Sequence, residues 1–162
     1  MKTVFSESQR FTQWWIWVII IGCGLPFAVG LIQQVFLGKT FGDNPMSNSG
    51  LTAGFILYIA FAVLFFFIRL ETLITEQGIS FRFYPFVSKR IPFSEIEDMQ
   101  VINYGFIGGW GIRFTMRYGT VYNIKGNMGL LVKLKKGKTF IIGTQQADLL
   151  KSRIVSFQNN GV

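Results

Sequence analysis

Hydrophobic positions follow two different rules along this chain. From Trp14 to Ile32 (WWIWVIIIGCGLPFAVGLI) and again from Leu51 to Ile68 (LTAGFILYIAFAVLFFFI) they are continuous, whereas after Arg69 they alternate with polar residues. A helix rises about 1.5 Å per residue, so an uncharged run of about 20 residues crosses the roughly 30 Å hydrocarbon layer of a bilayer. Trp14, Trp15 and Trp17 cluster at the start of the first run, as an interfacial aromatic belt does, and Gln33 and Gln34 mark its polar end. Arg69 closes the second run. The stretch between them, GKTFGDNPMSNSG, is a turn-forming loop, so the pair predicts a helical hairpin with spans at about 12–35 and 50–70. A cleaved signal peptide is the competing reading. The first run is too long for one, and no small-x-small cleavage site follows it.

Lys2 and Arg10 precede the first span, and Arg69, Arg82, Lys89 and Arg90 follow the second, while the loop offers Lys39 offset by Asp43. By the positive-inside rule this distribution predicts both termini on the cytoplasmic side. Gly22, Pro26 and Gly30 lie four residues apart and share one helix face, which predicts close approach of the second span near Gly54 or Ala60. No ionisable residue interrupts either run, which argues for an anchor and against a pore or substrate path.

Beyond Arg69 the period changes to two. Ile79, Phe81 and Phe83 alternate with Ser80, Arg82 and Tyr84 after a turn at Gln77-Gly78, and Pro85 ends this strand or puts it at an edge. A turn at Ser88-Lys89-Arg90, a capping-like Ser94-Glu95 step and a strand from about Met99 to Tyr104 follow. WGIRFTMRY and TVYNIK read as a hairpin joined at Tyr118-Gly119, and Leu131/Val132 with Phe140/Ile141 read as another around Lys136-Gly137. Leu149, Leu150, Ile154 and Phe157 then fall at helical spacing, with Thr144 as the expected N-cap. The count is about seven short strands in meander order and one C-terminal helix, an antiparallel sandwich or partly open barrel. The fold class predicted is α+β with a membrane anchor: residues 1–70 as tail and hairpin, residues 71–162 as a second domain.

Several short motifs sit in this order: G-I-x-x-R-x-x-P-F at Gly78–Phe86, GGWGIR at Gly108–Arg113, Y-N-x-x-G-N-x-G-L at Tyr122–Leu130 and K-x-G-K-T-F-x-I-G-T-Q at Lys135–Gln145. With the two N-terminal spans, the chain resembles uncharacterised bacterial membrane proteins that carry a pleckstrin-homology-like (PH-like) domain. The resemblance covers most of the chain. It implies a PH-like seven-stranded barrel capped by a terminal helix and a membrane location, and it brings no catalytic residues with it.

Composition narrows the chemistry. Half of the residues are hydrophobic and 15% are charged, against about 25% in an average soluble domain, which again selects the membrane class. There is no histidine, and the single cysteine, Cys23, lies within the first apolar run. An internal disulfide, a Cys/His zinc site and catalysis by a Ser-His-Asp or Cys-His pair are therefore excluded. The acidic residues Glu95, Glu97 and Asp98 form one cluster, read as a solvated helical turn; neither a carboxylate-pair hydrolase nor a metal site gains support from it. No catalytic, cofactor-binding or metal-binding residue is expected.

The net charge of +8 comes from 16 Lys and Arg against 8 acids, with most of the excess after Arg69, and suits an anionic lipid surface. In YGFIGGWGIR (104–113) the glycines fit neither a dinucleotide nor a P-loop spacing. One reading is a loop in which glycines permit positive φ, with Trp110 packed on the domain and Arg113 at the surface. The other is an apolar tip, Phe106, Ile107 and Trp110, dipping among headgroups while Arg113 meets phosphate. Arg113, Thr115 and Arg117, with Tyr122, Asn123, Lys125 and Asn127 across from them, compose a basic face or an ordinary solvated one. Lys133, Lys135, Lys136 and Lys138 lack the interleaved aromatics of single-strand binders, so nucleic acid is not an expected partner. The contacts expected for lipid or partner are Trp110, Arg113, Arg117 and Lys125. The expected partners are the bilayer, its anionic headgroups or a membrane protein, and a further copy of the chain. The reading is a non-catalytic membrane protein with a binding module; the alternative is a small membrane enzyme or transporter accessory subunit.

Overall fold

The computed structural model describes residues 2–160, with the backbone alone for 157–160, where the expected Phe157 contact lies outside the described side chains. The chain forms two compact units, Thr12–Phe67 and a second assembled from Met1–Phe11 with Ile68–Val162.

The first unit is the hairpin. Helix α1 (Trp14–Leu31) runs on through one π-helical turn, Ile32–Phe36, and helix α2 (Asn48–Phe67) returns after a loop. Both helices, Trp14–Phe36 and Asn48–Phe67, are long and apolar enough to cross a membrane. Away from the face on which the two helices meet, their apolar side chains are exposed, Val18, Ile21 and Leu25 on α1 and Ile56, Leu57 and Phe61 on α2 among them. The small-residue face is shifted from the expected one. Gly22 has open space around it, whereas a Cβ on Gly24 would collide with the Tyr58 ring. Gly24, Gly30 and Gly54 are the residues that admit neighbouring side chains, and Phe27 stacks on Tyr58 with centroids 5.9 Å apart.

Among the described residues the second unit contains nine strands, against the seven expected. Strands β1 (Thr3–Arg10), β2 (Arg69–Thr75), β3 (Gly78–Tyr84) and β4 (Val87–Pro92) make one antiparallel sheet in sequence order. Strands β5 (Ile96–Asn103), β6 (Gly111–Thr115), β7 (Gly119–Asn123), β8 (Met128–Leu134) and β9 (Thr139–Gly143) make the other, ordered β5-β8-β9-β7-β6. They are two separate sheets instead of one barrel wall. The N-terminal segment grouped with the hairpin in the sequence reading is thus a strand: β1 pairs with β2 along its length, Ser8 opposite Glu71 and Arg10 opposite Arg69. Its inward residues are Phe5, Glu7 and Gln9, and two polar side chains on the buried face conceal the strand's period.

The meander expectation fails at β9. Phe140, Ile141, Ile142 and Gly143 are all buried, so this strand needs cover on both faces and takes an interior place between β8 and β7, parallel to β7. Strand β6, mostly exposed, is left at the edge. Ser88–Arg90 lie within β4, and the turn falls earlier, at Pro85-Phe86. Glu97 and Asp98 stand on β5, so only Glu95 belongs to a helical turn, Phe93–Glu95.

Between the sheets, Leu70, Ile74, Ile79, Phe81 and Phe83 meet Tyr122, Leu130, Val132, Phe140 and Ile142, all buried. The Phe81 ring lies 4.8 Å from Tyr122 and 5.6 Å from Phe140, centroid to centroid. Helix α3 (Ala147–Asn160) lies against β1 and β5 and buries Leu150 and Ile154, while Leu149 is exposed. Thr144 stands ahead of the helix and accepts a hydrogen bond from Gln146 N at 3.0 Å, so it braces the approach instead of occupying the N-cap.

Candidate functional site

The segment 104–110 folds over the outer face of the second sheet. Tyr104, Val121 and Ile141 form a buried cluster there, with Ile102, Ile107, Tyr118 and Leu131 packed on it. Gly105, Gly108, Gly109 and Gly111 all have positive φ, between 70° and 128°, a region that side chains with a Cβ disfavour. They let the chain turn over the sheet and then enter β6. Of the three residues expected at an apolar tip, Ile107 is packed inward, Trp110 is half-buried and only Phe106 projects, 87% exposed.

Burial raises the pKa of the Tyr104 hydroxyl above the ordinary phenol value, and the hydrogen bond it accepts from Asn123 Nδ2 at 3.1 Å partly opposes that. The same hydroxyl donates to Gly126 O at 3.3 Å. Asn123 and Tyr122, placed by sequence on a basic surface, are therefore interior residues. Asn123 sits opposite Gly111 on the outer side, and Tyr122 opposite Ile112 on the side that meets the first sheet.

Arg113 is exposed, opposite the fully buried Val121, and its guanidinium lies over the backbone of Gly109. Arg117 is not on β6 but in the turn that follows, 5.0 Å from the Tyr118 ring centroid. Lys125 is exposed in the turn after β7. Arg117 and Lys125 stand beyond opposite ends of β7, a strand about 13 Å long at about 3.3 Å per residue. The structure spreads these three cations along one edge and does not converge them on one point. Lys133, on β8, ion-pairs with Glu97 at 2.6 Å, which raises its pKa through the hydrogen bond and the opposite charge.

A feature that sequence reasoning passed over lies on β6 itself. Ile112 and Phe114 share their rows with Tyr122–Ile142 and Thr120–Phe140, the face that packs on the first sheet. At the edge that cover ends. Ile112 is 40% and Phe114 81% exposed on β6, and Met116, in the turn that follows, is 103% exposed, an apolar ledge along the edge strand. The i, i+2, i+4 spacing of Ile112, Phe114 and Met116 was visible, but alternation alone does not tell which face the fold leaves open.

Among the described residues no group of three or more His, Cys, Asp or Glu side chains is placed to hold a metal ion. Comparison with protein-family profiles, with curated proteins and with solved structures gives no match for this chain.

Proposed function

We propose that this chain is a non-catalytic integral membrane protein of a bacterial inner membrane, both termini cytoplasmic, whose PH-like β unit is a binding module for the anionic lipid surface beside its own anchor. The observation that carries the reading is the edge strand β6, with Ile112 and Phe114 exposed, Arg113 on its other face, and Met116 and Arg117 in the turn beyond. Apolar side chains at an edge, flanked by guanidinium groups, suit the boundary between acyl chains and phosphates. Two helices able to cross a bilayer belong to the same chain, so a lipid surface is held at high local concentration without any partner. In water the same ledge is an exposed strand edge prone to association.

The test places an environment-sensitive fluorophore at Met116→Cys in a Cys23→Ser background, with the full-length protein in nanodiscs. Acyl-chain-brominated lipids are expected to quench the probe in anionic discs, and less so after Arg113→Gln and Arg117→Gln. A probe that stays unquenched in anionic and neutral discs alike rules the reading out.

A further inference from the structure

The outer face of the first sheet carries a second arrangement that uses none of these residues. Strand register sets Ser8, Glu71, Arg82 and Ser88 in one cross-strand row, and Ser6, Leu73, Ser80 and Arg90 in the next. The two rows line a concavity of about 710 Å³. A polar outer face is ordinary for an antiparallel sheet, but the pairing of its charges is not. Glu71 stands directly opposite Arg82, yet the neighbour of its carboxylate is Arg69, with Oε1 2.9 Å from Arg69 Nε but without hydrogen-bond geometry. Among the described residues no carboxylate lies within ion-pair distance of Arg82 or Arg90. Ser80 donates its hydroxyl to Leu73 O at 3.4 Å, whereas the hydroxyls of Ser6, Ser8 and Ser88 make no hydrogen bond among the described residues.

Arg82 and Arg90 stand diagonally across the β3–β4 pair, opposite Ser88 and Ser80, so their backbones are about 7–8 Å apart. Like charges at that spacing repel, and a dianion between them turns the repulsion into two bidentate, charge-assisted contacts. We propose that this face is a binding site for a phosphomonoester group, gripped by Arg82 and Arg90, with Ser8 and Ser88 donating to its remaining oxygens. A phosphodiester, with a single charge, satisfies only one of the guanidinium groups. The ligand is either free phosphate or a lipid headgroup of the same chemistry.

Phosphorus NMR of the full-length protein in nanodiscs tests this with two probes, inorganic phosphate added to zwitterionic discs and phosphatidic acid within the discs. The expected result is broadening of at least one resonance that Arg82→Gln/Arg90→Gln reduces, whereas any effect on phosphatidylglycerol, a phosphodiester, does not depend on those two residues. Arg82→Gln/Arg90→Gln should weaken binding about tenfold or more, the scale of one lost charge-assisted contact. Ser8→Ala/Ser88→Ala, which keeps the charge, should weaken it about threefold, and serves if the arginine variant does not fold. Lys135→Gln/Lys136→Gln, an equal charge loss in the β8–β9 turn, should leave it unchanged. Broadening of phosphate alone assigns a soluble ligand, and broadening of phosphatidic acid alone assigns a headgroup. No broadening of either, or equal weakening by the lysine variant, overturns the proposal.

Discussion

Thr144 donates its hydroxyl to a carboxylate oxygen of Glu7 at 2.6 Å, across 137 residues of sequence. The other carboxylate oxygen accepts from Gln145 N at 2.9 Å, and Gln9 donates its amide to Gly143 O at 2.7 Å. Through these bonds the strand that precedes the hairpin is tied to the end of β9 and the approach to α3. Polar groups buried at such a junction are costly unless paired, and here each pairing is long-range.

Glu7→Ala removes two charge-assisted hydrogen bonds and leaves the Thr144 hydroxyl and Gln145 N–H without them. The expected loss of stability is about 3 kcal/mol, with Glu7→Gln less damaging. Urea unfolding of the full-length protein in neutral detergent, followed by far-ultraviolet circular dichroism, measures it; an unchanged midpoint for Glu7→Ala would contradict the assignment.

In α3 the two adjacent leucines should separate cleanly. Leu150 is 1% exposed, so Leu150→Ala should cost about 3 kcal/mol. Leu149 is 44% exposed, so Leu149→Ala should stay within about 0.5 kcal/mol. The same unfolding series compares them directly.

Tyr104 should ionise above the ordinary phenol value of 10.0, because burial disfavours its phenolate. Its pKa is raised on folding, so its contribution to stability is complete below 10.0 and is lost as pH rises through the folded value. Asn123→Ala removes the bond that stabilises the phenolate and should raise the value further. Ultraviolet titration of the tyrosinate band, compared with Tyr104→Phe, reads both effects.

Lys133 holds its proton above the usual lysine value of 10.5 because Glu97 accepts its hydrogen bond and supplies an opposite charge. Its sign is the same, a contribution present below 10.5 and lost as pH rises through the raised value. Glu97→Gln should bring the Lys133 titration back toward that of the other lysines, as followed by NMR of the side-chain methylenes. The pair is solvent-exposed, and added salt should shrink the difference.

Topology is checked on intact cells in a Cys23→Ser background. Ser47→Cys, just ahead of α2, is expected to react with an impermeant thiol reagent, and Ser156→Cys, in α3, to react only after lysis. The reverse labelling pattern would invert the orientation.

The two long helices were legible because each is a continuous apolar run, and such a run needs no tertiary partner to identify it. The β3 strand was legible for a similar reason, since Ile79, Phe81 and Phe83 keep period two and all end buried. The β8–β9 hairpin was legible too, since Leu131 does face Ile141 and Val132 does face Phe140 around the lysine turn. The glycine-rich segment could be recognised as a bend because four glycines in the seven positions 105–111 have few other uses.

Strand β1 was not legible, because its buried face holds Glu7 and Gln9, and only Thr144, Gln145 and Gly143, more than a hundred residues away, make that burial affordable. The order of the second sheet, the inward turn of Tyr122 and Asn123, and the exposure of Ile112, Phe114 and Met116 depend on which strand lies beside which. Local pattern determined what each segment is: helix, strand or bend. Which face meets a core, which edge stays open and which arginines lack a carboxylate are set by contacts between distant segments, and the energy of those contacts is written in no single stretch of the chain.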